Sequence, residues 1–149
     1  MVNESEFYIP DKSVFNIISG DSNLELKFAS YLDSCPDVIS FGKNYFAVNF
    51  KLDYLNADGN ISYYYPDFLV KIKPKSSKEE CYVVETKGRE DLDDPLKIKR
   101  LKQWCKDVNS IPNANQIWNF VYVSQEEFEK YRDNLKTFED LVRSFKEFQ

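Results

Sequence analysis

The 149-residue chain contains no histidine, and that absence removes whole classes of mechanism. Ser/His/Asp hydrolases, Cys/His proteases, histidine-based zinc hydrolases and histidine-metal nucleases all need an imidazole as base or ligand. The sequence also lacks a G-x-x-x-x-G-K-[ST] loop and a G-x-G-x-x-G turn, so neither nucleotide hydrolysis nor dinucleotide binding is expected. No apolar run approaches the length of a membrane span, and the N-terminus has neither the basic nor the apolar block of a signal peptide. A soluble cytoplasmic protein without membrane association is expected. Cysteine is scarce: Cys35, Cys81 and Cys105 are odd in number, far apart and set among apolar residues. Reduced core thiols are therefore expected rather than disulfides or a zinc knuckle. What remains is carboxylate and lysine chemistry.

Twelve Phe and ten Tyr are ample for a core, and the length suits a single domain over 1–149. The net charge of −5 argues against a simple nucleic-acid-binding domain, because phosphate contacts demand a basic face. The charge is unevenly spread. Lys97, Lys99, Arg100, Lys102 and Lys106 form a local basic cluster, while acids gather at Asp91-Asp94 and in the last third. Any grip on nucleic acid is then expected to come mostly from other domains or subunits.

Residues 1–20 show no clear period and read as an N-terminal arm or edge strand; 21–123 read as the core, and 124–149 as a C-terminal helix. Ser22-Asn23-Leu24-Glu25 has the spacing of a capping box, and Leu24, Phe28, Tyr31 and Leu32 follow at helical spacing, with Pro36 ending the helix. From Tyr45 the period changes to two, with Phe46, Val48, Phe50, Leu52 and Tyr54 on one face of a half-buried strand. The turn residues Asn56 to Asn60 lead into a second strand, Ile61 to Lys73, paired in an antiparallel hairpin. Within it Pro66 predicts a bend or bulge at Asp67. The run Cys81-Tyr82-Val83-Val84, closed by Gly88, reads as a buried central strand. Asp94-Pro95 then offers an N-cap and an N1 proline for a helix with the stripe Leu101, Trp104, Cys105 and Val108. Ile117 to Val123 reads as a fourth strand. Ser124 to Glu127 is a second capping box, opening one long helix with Phe128, Tyr131, Leu135, Phe138, Leu141, Val142 and Phe145 near one face.

The chemistry concentrates in two places, Tyr65-Pro66-Asp67 and Val83-Val84-Glu85-Thr86-Lys87-Gly88. Side chains alternate along a strand, so Glu85 and Lys87 share a face while Thr86 points into the opposite layer. An aspartate, a glutamate and a lysine at adjacent strand ends make a metal site for attack on phosphodiesters. Burying them for packing alone would be costly, and a divalent cation would offset much of that cost. A Pro-Asp dipeptide alone is ordinary turn chemistry, and E-x-K alone is an exposed strand edge. The signal is their joint occurrence, in order, on the right elements. Glu25 has a structural use as the N3 residue of a capping box, yet lies at the border of the apolar helix face. Lys97 falls on the stripe of Leu101, Trp104 and Val108, an odd place for a lysine unless it snorkels or meets an anion. Among Tyr63, Tyr64 and Tyr65 alternation turns at least one inward, with packing the expected use.

The order helix, three strands, helix, strand, with an acid on the second strand and E-x-K on the third, resembles the PD-(D/E)XK nuclease superfamily. The stretch Asp21 to Leu32 with Glu25, the Tyr-rich approach to Pro66-Asp67-Phe68, the Val84 to Gly88 block, and Lys97 followed by Trp104-Cys105 are similar to the C-terminal endonuclease domain of type III restriction enzyme Res subunits and related DEAD/DEAH-box helicase-nucleases. The resemblance covers roughly residues 13 to 145. It implies an α/β restriction-endonuclease-like αβββαβ core, a mixed central sheet flanked by helices, with an added C-terminal helix. It also implies a metal-dependent DNA endonuclease in which Asp67, Glu85 and the backbone carbonyl of Thr86 hold Mg²⁺, for which Mn²⁺ would substitute. Lys87 is then catalytic, with Glu25 and Lys97 as accessory site residues, and the products carry 5′-phosphate and 3′-hydroxyl ends. The implied partners are DNA, a helicase/ATPase domain or subunit and a methyltransferase subunit; homodimerisation is left open. The alternative from another class is a non-catalytic nucleic-acid-binding or assembly module that retains the nuclease fold.

Overall fold

The structure, a computed structural model, describes residues 7–8, 10–13, 18–19, 23–44, 50–88 and 91–145. In chain order the strands are β1 (Phe7–Tyr8), β2 (Ile18–Ser19), β3 (Val38–Lys43), β4 (Leu52–Leu55), β5 (Ile61–Tyr64), β6 (Phe68–Ile72), β7 (Glu79–Lys87) and β8 (Gln116–Ser124). The helices are α1 (Asn23–Ser34), α2 (Asp94–Asn109), α3 (Gln125–Tyr131) and α4 (Phe138–Ser144). The central sheet has the order β3-β6-β7-β8. Its first two pairings are antiparallel, and β7 runs parallel to β8 across the α2 crossover. This is the mixed sheet flanked by helices that the sequence implies. No described helix is long and apolar enough to cross a membrane.

Side-chain alternation on the sheet feeds two apolar layers. On one face Phe68, Val70, Ile72, Val84, Val121 and Val123 pack with Phe28 and Leu32 of α1 and with Phe128, Phe138 and Leu141 of the last two helices. Phe28 anchors that layer through ring contacts with Phe68 and Phe128 at 5.4 and 5.3 Å. The other face sets Val83 and Phe120 against Leu101 and Cys105 of α2, together with Leu52 and Tyr64. All three cysteines are buried free thiols, and burial pushes those of Cys35 and Cys105 up to about 11. They are core groups, as expected.

Several boundaries differ from the sequence reading. The first core strand is β3, which the periodicity did not reveal. A register shift between Val38 and Ser40 puts Val38 and Phe41 inside rather than alternate residues, so no period-two pattern is written there. The expected hairpin exists as β4 and β5, but it forms its own two-stranded sheet. Of the strand expected from Tyr45, residues 45–49 lie outside the described residues, as does Ser22 of the first capping box. The single strand expected over Ile61 to Lys73 is two strands, broken at Tyr65-Pro66-Asp67. The backbone carbonyls of Pro66 and Asp67 there accept hydrogen bonds from Asn44 instead of from a neighbouring strand.

Two helix expectations are also corrected. Asp94 is the first helical residue of α2 rather than its cap, and Asp93 stands at the cap position without a capping bond. The Asp93 carboxylate instead accepts hydrogen bonds from Tyr54 and Ala57, tethering the hairpin to the start of α2. The long C-terminal helix is two. Ser124 caps α3 through Glu127 as expected, but α3 ends at Tyr131 and a 3₁₀ turn over Arg132–Asn134 follows. Thr137 then opens α4 with a full capping box to Asp140, and the Asp37 carboxylate accepts from the backbone of Phe138 and Glu139. Tyr131, the last residue of α3, does not join the apolar face and is 43% exposed.

Candidate active site

The ends of β6 and β7 bring Asp67 and Glu85 together. One residue beyond the last β6–β7 pair, Phe68 with Val84, the chain carries these two acids. Asp67 sits in the break created by Pro66. One of its carboxylate oxygens accepts hydrogen bonds from both the backbone N–H of Thr86, at 2.8 Å, and the Thr86 hydroxyl, at 2.7 Å. Burial nevertheless pushes the Asp67 carboxyl up to about 6, the Thr86 bonds pulling against it and the neighbouring Glu25 carboxyl adding to it. Glu85, buried on the α2 face, is held well above the usual carboxylate range by desolvation and then by the charge of Asp67. The hydroxyl of Tyr64 donates to Glu85 at 3.0 Å, and Lys87 and Lys97 lie close enough to favour its ionised form.

Both layers contribute. Glu25 reaches the site from α1, where it is buried and pairs with the buried Lys43 ammonium at 3.2 Å. Lys97 comes from α2, with its ammonium 5.7 Å from the centre of the Tyr64 ring and 3.7 Å from Asp91. Lys87 follows Glu85 on the same face and pairs with Asp94 at 3.3 Å. All five side chains singled out in the sequence therefore converge here, Asp67, Glu85 and Lys87 with Glu25 and Lys97. Thr86 touches the site through its N–H and hydroxyl. The other basic residues do not join. Lys99, Lys102 and Lys106 are exposed on α2, and Arg100 binds the backbone and carboxylate of Asp53.

Four participants carried no sequence signal strong enough to select them. Lys43 ends a strand whose pattern was hidden. Tyr64 was one of three consecutive tyrosines, and only the hairpin register decides that it, rather than Tyr63, turns inward. Asp94 read as a helix cap, although its buried carboxylate faces the sheet, where one oxygen also accepts from Tyr122 at 2.7 Å. Tyr122 lies opposite Glu85 in the β7–β8 register. Burial, and then the bond to Asp94, hold its hydroxyl far above the ordinary phenol value, so it is a donor throughout the working range.

The donor set suits a hard divalent cation: two carboxylates at adjacent strand ends, each with its proton affinity raised by burial first and by a neighbouring acid second, a cost that a bound cation would offset. It is a two-carboxylate set, since no group of three or more Cys, Asp or Glu side chains among the described residues has metal-holding geometry. Among the described residues, any further ligand would come from backbone, water or substrate.

Neither the curated proteins nor the solved structures compared with the chain include a match. The family model described as TnsA-like endonuclease N terminal matches residues 35–144, a span that holds the whole central sheet, Asp67, Glu85 and Asp94, and Lys43, Lys87 and Lys97, and leaves Glu25 outside. With a four-stranded mixed sheet that presents an acid and E-x-K at adjacent strand ends, the chain belongs to the TnsA-like endonuclease N-terminal family, a family of restriction-endonuclease-like PD-(D/E)XK nucleases.

Proposed function

We propose that the chain is a Mg²⁺-dependent DNA endonuclease domain that hydrolyses phosphodiester bonds. The observation that carries this reading is the placement of the Asp67 and Glu85 carboxylates at the adjacent ends of β6 and β7, close enough for the Asp67 charge to act on the buried Glu85, with Lys87 next along the face of Glu85. Asp67 and Glu85 would hold the cation, with the Thr86 backbone carbonyl as a further ligand, and Mn²⁺ would substitute. Bound there, the cation would supply charge neutralisation and a water of lowered pKa, in a chain that has no histidine to act as base.

The side chains divide the remaining work. Lys87 orients the attacking water and donates a charge-assisted hydrogen bond to the non-bridging phosphate oxygen as charge builds there. The water oxygen bonds to phosphorus while the bond from phosphorus to the 3′ oxygen breaks; the phosphate stays on the 5′ oxygen and the departing 3′ oxygen takes up a proton from solvent, leaving 5′-phosphate and 3′-hydroxyl ends. Tyr64 fixes the Glu85 carboxylate and Thr86 fixes that of Asp67, so neither acid needs to reorganise. Lys97 is placed to meet a neighbouring phosphate, and Glu25 acts as an accessory acid through Asp67.

The net charge of −5 supports delivery of DNA by a partner. A helicase/ATPase or methyltransferase subunit of a type III-like restriction or defence assembly in the cytoplasm is the context we propose. A calorimetric Mn²⁺ titration of wild type beside Asp67→Asn tests the site directly. Saturable binding that the substitution abolishes is expected. Equal weak binding by both proteins would favour a non-catalytic assembly module. In a cleavage assay with Mg²⁺, Lys87→Ala should lower the rate by about 100-fold or more, the loss typical of a transition-state donor, with Mn²⁺ affinity unchanged. Comparable turnover would sink the role given to Lys87.

A further inference from the structure

The face of the sheet that carries Glu85 also carries a second buried acid, at the point where α2 begins. Glu85 and Lys87 project from β7 on that face, and Tyr122 stands opposite Glu85 on the parallel neighbour β8. The first turn of α2 sets Asp94 over them. One oxygen of its carboxylate accepts from the Tyr122 hydroxyl at 2.7 Å and meets the Lys87 ammonium at 3.3 Å, and the other accepts from the backbone N–H of Asp91 at 2.7 Å. The carboxylate is thus held by a strand, by its own helix start and by a cation. A helix-start acid serving only the helix would have no need to reach the sheet, and the cap position belongs to Asp93.

We infer that Asp94, fixed by Tyr122, is the positioning residue of Lys87, holding its ammonium beside Glu85 before DNA arrives. The inference rests on the role proposed above for Lys87. A lysine has a long stem with several rotatable bonds, and a donor that must find its place during reaction is a poor catalyst. The Asp94 carboxylate removes that freedom in advance. It is also a counter-ion that leaves ammonium hydrogens free for a phosphate oxygen, because a lysine has three donors.

Asp94→Asn tests this. The amide keeps the size of the side chain, and its single oxygen can still accept from either Tyr122 or the Asp91 N–H, though not from both as the two carboxylate oxygens do; it loses the charge that holds Lys87. In Mg²⁺-supported cleavage the variant should show kcat lowered roughly 10- to 100-fold, the scale of a misplaced catalytic group, with KM and Mn²⁺ affinity nearly unchanged. Combining Asp94→Asn with Lys87→Ala should cost no more than Lys87→Ala alone, since Asp94 acts through Lys87. A further loss in the double variant, or full kcat in Asp94→Asn, would overturn the inference. A readout without cleavage stands beside it. The Lys87 ammonium should give a resolved side-chain ¹⁵N signal in wild type, assigned by its absence in Lys87→Ala and lost to solvent exchange in Asp94→Asn. Persistence of that signal in Asp94→Asn refutes the contact whether or not the isolated chain cuts DNA. Should Asp94→Asn fail to fold, Tyr122→Phe, which leaves the charge in place, should weaken the same signal; an unaltered one counts against the fixing role of Tyr122. Failure of the nuclease reading itself would appear separately, as absence of both Mn²⁺ binding and cleavage in wild type.

Discussion

Asp67 is held between opposing effects. Two hydrogen bonds from Thr86 favour its carboxylate, while burial and the acids around it favour the carboxylic acid and win, to a value of about 6. The sign for stability follows from linkage. Between the ordinary carboxyl value and about 6 the folded state binds more protons than the unfolded one, so this contribution to stability falls as pH rises through that window. Asp67→Asn removes the titration and leaves an oxygen that still accepts from Thr86. We expect the metal-free variant to be more stable than wild type at pH 7, by about 1–3 kcal/mol, and the difference to shrink toward pH 4. Thermal melts across that range would show it, and a lower melting temperature for the variant at pH 7 would refute the arrangement. Glu85 is raised in the same direction, so Mn²⁺ should stabilise wild type more than Asp67→Asn. At this scale the sequence was informative where alternation fixed the answer, as for Glu85 and Lys87. It was silent on Tyr64, because three tyrosines in a row do not say which one faces in.

At the scale of elements, the sequence was misleading where local signals were regular and tertiary contacts were not. The apolar stripe from Phe128 to Phe145 is compatible with one helix, yet the chain turns after Tyr131 and restarts at Phe138. The restart depends on Thr137 and Asp140 locally, and on Asp37 from the α1–β3 connection, a hundred residues away. The Asp37 carboxylate satisfies two N–H groups that a helix start leaves without partners inside the helix, and its charge favours that end of the helix. Asp37→Ala should therefore destabilise the protein by about 1–2 kcal/mol, as loss of a cap does, with no change in Mn²⁺ affinity. Denaturant midpoints beside a metal titration would check both halves. The hidden strand β3 has a comparable cause. Its bulge places Val38 and Phe41 inward, and a pattern that breaks its own period cannot be read as a strand from spacing alone.

Over the whole molecule, the site forms where the two apolar layers meet the open end of the sheet. α1 supplies Glu25, β3 supplies Lys43, and the hairpin and α2 supply Tyr64, Asp94 and Lys97 from the other side. The rest of the surface is acidic on balance, with a net charge of −5. Affinity for duplex DNA arises chiefly from neutralised phosphates, so the isolated chain should bind DNA more weakly than about 10⁻⁶ M at physiological salt; tight retention in a mobility-shift assay without a partner would contradict this. The sequence by itself determined the histidine-free chemistry, the pairing of Asp67 with E-x-K, the hairpin turn and the central strand. Each of these is written in residue type or in short-range period, which neighbours along the chain enforce. Tertiary structure alone decided that Tyr64 would hold Glu85 and that Asp94 and Tyr122 would meet Lys87. It also decided that Lys43 would answer Glu25. The contacts of Tyr64 with Glu85, Tyr122 with Asp94 and Lys43 with Glu25 join residues 18 to 28 positions apart, and that of Lys87 with Asp94 crosses from the end of β7 to the start of α2; their geometry depends on register and helix placement, which no local pattern encodes.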